Sequence, residues 1–70
     1  MIPMTFLKNG ERGTIKRVAG TPEVRKHLEN LGFVSDSDVE VVNSIAGNLI
    51  VVVKDVRVAV SKELAQKVFI

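Results

Sequence analysis

Few side chains here can do chemistry, and their spacing limits what they can do. His27 is the one histidine, and there is no cysteine. Glu23 lies four residues before His27, so on a helix the pair shares a face and could hold a metal ion. Two ligands are too few for a closed metal site, and a solvated helix flank explains them more simply. Asp36 and Asp38 offer hard oxygens to a cation, yet no calcium-loop spacing follows them. A turn with Asx-type hydrogen bonds accounts for both. Gly10-Glu11-Arg12-Gly13 matches the GxxG loop that clamps nucleic-acid backbone in KH domains. There the loop joins two helices, whereas here it precedes a strand-forming run. Lys16, Arg17, Lys54 and Arg57 could gather into a basic patch, but no aromatic residue interleaves them to stack bases. The hydroxyls fall in turns and caps. This inventory predicts a protein that is not an enzyme and has no catalytic residues, no cofactor and no dedicated metal ligands.

The elements that position these residues follow from the chain order. Thr21 to Phe33 predicts one amphipathic helix, at about 22–31. Thr21 is a good N-cap, Pro22 suits the first helical position, and Glu23 complements the positive end of the helix dipole. Val24, Leu28 and Leu31 form one apolar stripe. Gly32 supplies a left-handed stop, with Phe33 folding back on the last turn. Met1 to Phe6 reads as an extended lead-in. Asn9-Gly10 marks a turn. Thr14 to Val18 reads as one strand, and the uneven spacing of Ile15 and Val18 predicts a bulge near Lys16-Arg17.

Val39 to Val42 reads as a strand with Val39 and Val41 on one face. A connection from Asn43 to Asn48 then turns at Gly47. Leu49 to Val53 is continuously apolar, as in a central strand covered on both faces. Lys54-Asp55 makes a tight turn. Val56, Val58 and Val60 point inward, with Arg57 and Ala59 outward. Ser61 caps a helical turn at about 62–66, and Val68 to Ile70 closes the chain as a last strand.

Seventy residues predict a single domain, 1–70, that buries only about 60% of its unfolded surface. Hydrophobic residues make up 46% of the chain, with three Phe, no Trp and no Tyr, so the core must be aliphatic. Without Trp or Tyr the chain lacks the aromatic-lined groove that binds polyproline peptides. Ten basic and eight acidic residues leave a net charge of +2, ordinary for solubility and no sign of nucleic-acid binding. The absence of cysteine fits a reducing cytoplasm. The apolar Met1–Leu7 run is too short for a leader or a membrane span.

The order of motifs resembles the FeoA family, the small cytosolic ferrous iron transport protein A of bacteria. The likeness starts at Leu7 and Gly10-Glu11-Arg12-Gly13-Thr14-Ile15. It continues through Arg25, Leu28, Leu31-Gly32-Phe33 and Val39-Glu40-Val41-Val42. It ends with Arg57-Val58-Ala59-Val60, the Glu63–Ala65 turn and Val68-Phe69-Ile70. Ser35-Asp36 stands where the family commonly has Pro-Gly, and Asp is among the residues that tolerate a left-handed conformation. Val60 replaces a preferred Leu.

The resemblance implies a mainly β protein: an SH3-like β-barrel of about five strands with one inserted helix. It also implies an accessory role in ferrous iron transport, as a protein-interaction module on the cytoplasmic GTP-binding part of the FeoB iron permease. Weak binding of ferrous or another divalent ion, and a homodimer, stay open. The alternative is a regulatory module related to the C-terminal domain of metal-dependent repressors of the diphtheria-toxin-repressor type. The expected partner-binding residues are Arg25, Lys26 and Glu29 on the helix flank, and Val42, Ile50, Val52, Arg57 and Ala59 on the outer strand faces. Either that apolar outer face is free for a partner, or Met1, Ile2, Met4 and Phe6 fold over it.

Overall fold

Two tight turns organise the sheet. Ala46-Gly47 and Lys54-Asp55 all have positive φ, at 50°, 80°, 51° and 63°. A turn with both central residues left-handed has the twist that antiparallel strands require. It therefore joins β3 (Asp38–Ile45), β4 (Asn48–Val53) and β5 (Val56–Ser61) into a meander. β1 (Arg12–Thr14) pairs along the other side of β3, with Arg12 opposite Glu40, so the order is β1-β3-β4-β5. A second sheet holds only β2 (Arg17–Val18) and β6 (Val68–Phe69). This computed structural model describes residues 1–70.

The helix α1 runs from Pro22 to Asn30 as its caps predict. The Thr21 hydroxyl accepts from the Val24 N–H at 3.3 Å, and Leu31 is the C-cap. Gly32 follows at φ 110°. The Phe33 N–H donates to the Leu28 carbonyl at 3.0 Å, closing the helix end. Leu28 and Phe33 are fully buried, while Val24 and Leu31 pack at the edge of the core. The short α2 (Lys62–Ala65) is capped by Ser61, whose oxygen accepts from the Leu64 N–H at 3.3 Å. The core collects the inward residues of β3 and β4 with Ile15, Val60, Ala65 and Val68.

Several sequence expectations change. The strands do not close into a barrel: β1 and β5 end the larger sheet unpaired with each other, and six strands form two sheets. β2 and β6, two residues each, pair with each other and with neither edge of the larger sheet. Thr14–Val18 is not one bulged strand. The chain changes partner at Ile15, whose N–H donates to the Ser37 carbonyl at 2.8 Å, while the next residue, Lys16, donates to the Phe69 carbonyl at 2.7 Å. This corner lets Ile15 and Val18, three residues apart, both reach the core. The bulge lies instead in β3, where Val42 is the extra residue between the Val41↔Val51 and Asn43↔Ile50 pairs.

β3 also continues to Ile45, through residues expected to be a connection, because the turn at Ala46-Gly47 pairs everything before it with β4. Val56 is 57% exposed rather than inward, since it opens β5 beside the turn at the end of the sheet. The lead-in is not wholly extended, because Met4–Phe6 forms a 3-10 turn with Met4 buried.

A candidate interaction surface

The outer face of the four-stranded sheet is built by register. Arg12, Glu40, Val52 and Arg57 fall in one row across β1, β3, β4 and β5. Ile50 lies in the next row, opposite Ala59, with Asn43 on its other side. The β3 bulge sets both Val42 and Asn43 against Ile50. Val42, Ile50 and Val52 are half-buried, and Ala59 is exposed. The structure thus joins five of the expected partner-binding residues, Val42, Ile50, Val52, Arg57 and Ala59, on one face. Ile45 extends it at 55% exposure. Sequence reading missed Ile45 by assigning it to a connection, although its β-branched side chain two residues from Asn43 was the available signal.

The lead-in does not roof this face. The Ile2 N–H donates to the Ile70 carbonyl at 3.0 Å, and the Ile70 N–H returns a bond to the Ile2 carbonyl at 2.8 Å. Pro3 bridges to Phe69. That segment therefore extends the small sheet, and Met1 and Phe6 stay largely exposed.

The polar rim is mixed in sign. Arg12 and Glu40 form an ion pair at 3.0 Å, with Arg12 mostly in solvent. They line a shallow groove of about 330 Å³ together with Ser37, Asp38, Lys54 and Asp55. The expected Asx-type bonds do not form: Asp38 instead accepts from the Thr14 hydroxyl across the β1–β3 pair at 3.0 Å, and Asp36 holds the left-handed turn position at φ 72° with no side-chain hydrogen bond. The GxxG loop is likewise committed. The Lys8 N–H donates to the Glu11 carboxylate at 2.6 Å, and the Gly10 N–H to the Val41 carbonyl at 2.6 Å. Its second glycine lies in β1, beneath the Ile70 side chain.

Arg25, Lys26 and Glu29 sit elsewhere, on the α1 flank. They line a second groove of about 680 Å³ between α1, β2 and the Phe33–Ser35 loop, with Lys16 and Arg17 opposite them. Lys16, Arg17, Lys54 and Arg57 do not form one patch: Lys16 and Arg17 belong to this groove, Lys54 to the other, and Arg57 to the sheet face. Nowhere do three His, Asp or Glu side chains gather around a point that one ion could occupy. His27 and Glu23 lack a third ligand, so these residues do not fit a closed centre for a resident metal. No helix is long and apolar enough to cross a membrane.

Residues 2–70 match the family model of the FeoA domain. Among solved structures, a FeoA described as an iron uptake regulatory protein is 26% identical, with a TM-score of 0.88 over 96% of this chain and 91% of that one. FeoA of Stenotrophomonas maltophilia in complex with zinc, an SH3-domain protein, is 21% identical, with a TM-score of 0.84 over 99% and 88%. A manganese-dependent transcriptional repressor in complex with manganese is 21% identical, with a TM-score of 0.86 over 94% of this chain but 33% of its own. The last two likenesses show a shared, SH3-like fold. No curated protein sequence matches the chain.

Proposed function

The chain belongs to the FeoA domain family, and from that membership we propose that it serves ferrous iron transport as a non-enzymatic module docking on the cytoplasmic, GTP-binding part of the FeoB iron permease. One observation carries the docking reading: the outer sheet face, with Val42, Ile50, Val52 and Ala59 in adjacent rows, is left uncovered by the lead-in. Contiguous apolar surface framed by charged residues suits protein association, and Arg12, Glu40 and Arg57 frame this one. Ferrous ion is the cargo of the transporter in this reading, and the chain acts by contact with the protein that carries it. The regulatory alternative rests on the fold shared with the manganese-dependent repressor.

The test is a calorimetric titration of this chain into the isolated GTP-binding domain of the permease. Saturable binding is expected. Ala59→Glu adds a charge at an exposed position on the edge strand β5, beside Ile50, so the fold should survive and the affinity should fall by about tenfold, which is about 1.4 kcal/mol. Absence of binding at high micromolar concentration would overturn the proposal. Unchanged affinity in the folded variant would remove this face from it.

A further inference from the structure

The groove beside α1 concentrates charge in a way the whole chain does not. Lys16, Arg17, Arg25 and Lys26 line it against a single carboxylate, Glu29, a formal +3 on a molecule whose net charge is +2. The rest of the surface is therefore slightly acidic, and the basicity of this protein is local. None of the four cations has a carboxylate within ion-pair distance, because Arg12–Glu40 is the one salt bridge of the molecule. None donates a side-chain hydrogen bond either. Like charges held together without internal partners oppose compactness, and an anionic ligand relieves that. The lining is not purely polar: Val18, Pro22 and Val34 also face the groove, over the fully buried Phe33.

We propose that this groove binds an acidic peptide segment, whose carboxylates meet Lys16, Arg17, Arg25 and Lys26 while an apolar side chain rests on Val18, Pro22 and Val34. Arginine favours carboxylate recognition because its planar fork matches the two oxygens. The apolar floor gives a side chain somewhere to sit that a free anion would not use. A nucleic acid fits less well, since no exposed aromatic ring lines the groove for base stacking. The inference depends on the chemistry of the groove and does not rest on the permease reading.

The test uses the full chain and a short synthetic peptide in which glutamates alternate with leucine, followed by amide chemical shifts. Shifts are expected at Arg17, Val18, Arg25, Lys26 and Val34, with binding that weakens as salt is raised. Arg25→Glu combined with Lys26→Glu alters only exposed helix positions and should weaken binding at least about tenfold. Lys54→Glu makes half that charge change outside the groove and should leave binding intact. A glycine-for-leucine peptide should bind more weakly. The proposal fails if the peptide does not bind at millimolar concentration, or if its shifts map to the outer sheet face. It also fails if Lys54→Glu weakens binding as much as the groove variant does, or if an oligouridylate binds more tightly than the peptide. Because no permease is present, its failure leaves the permease reading standing, and the reverse holds.

Discussion

Asp36 shows how much a single backbone angle decides. At φ 72° it occupies the left-handed region, which costs any residue but glycine something and Asp less than most. Its N–H nevertheless donates to the Ile15 carbonyl at 2.8 Å, which ties this turn to the corner between the two sheets. Asp36→Gly should remove the strain and keep that bond, stabilising the protein by up to about 1 kcal/mol. A higher urea midpoint at unchanged slope would show it, and a loss of stability would contradict the strain account. Gly32 is the opposite case. At φ 110°, a Cβ there would lie 3.3 Å from a Val53 methyl. Gly32→Ala therefore combines backbone strain with crowding and should cost about 1–3 kcal/mol, read from the same denaturation curves. The Arg12–Glu40 pair, by contrast, is a surface contact with Arg12 mostly in water. Pairs of that kind contribute only about 0.2–1 kcal/mol.

Among the elements, α1 depends on its ends because nine residues are too few for a stable helix in isolation. Its cap bond from the Val24 N–H to Thr21 is exposed and local. Thr21→Ala should cost about 1 kcal/mol. Hydrogen exchange should show the loss as faster exchange in the first turn of α1, with the β3–β4 amides hastened only as far as global stability falls. Equal added opening throughout the sheet, beyond that global change, would mean the cap does more than close one helix end. α2, with four residues, exists only because Ser61 caps it and Ala65 is buried in the core. The bulge at Val42 has a different consequence: it brings two β3 residues against Ile50 and so helps set the breadth of the outer apolar face.

For the molecule as a whole, a domain of this length has a total stability on the order of 4–10 kcal/mol. Leu28 is fully buried in the core, two residues before the C-terminal end of α1. Leu28→Ala should cost about 2–5 kcal/mol, a large share of the total, and a thermal melt should show a markedly lower midpoint; a shift of under a few degrees would mean the site collapses around the smaller side chain. Local signals carried much of this architecture: Thr21, Pro22 and Gly32 bound the helix, Ser61 caps the second one, Lys54-Asp55 turns, and alternating valines set the inner face of β3. The same reading took Ile15 and Val18 for one strand, Ile45 for a loop and Val56 for core. Each of those depends on which distant strand lies alongside, and no local pattern encodes that. The candidate surfaces divide in the same way. Arg25, Lys26 and Glu29 could be placed on a helix flank by their spacing, since neighbours within one turn are set by the helix itself. That Lys16 and Arg17 face them across a groove, and that the first residues pair with the last instead of covering the outer sheet, was decided by long-range packing, because it depends on where whole elements come to rest and not on the order of residues within any one of them.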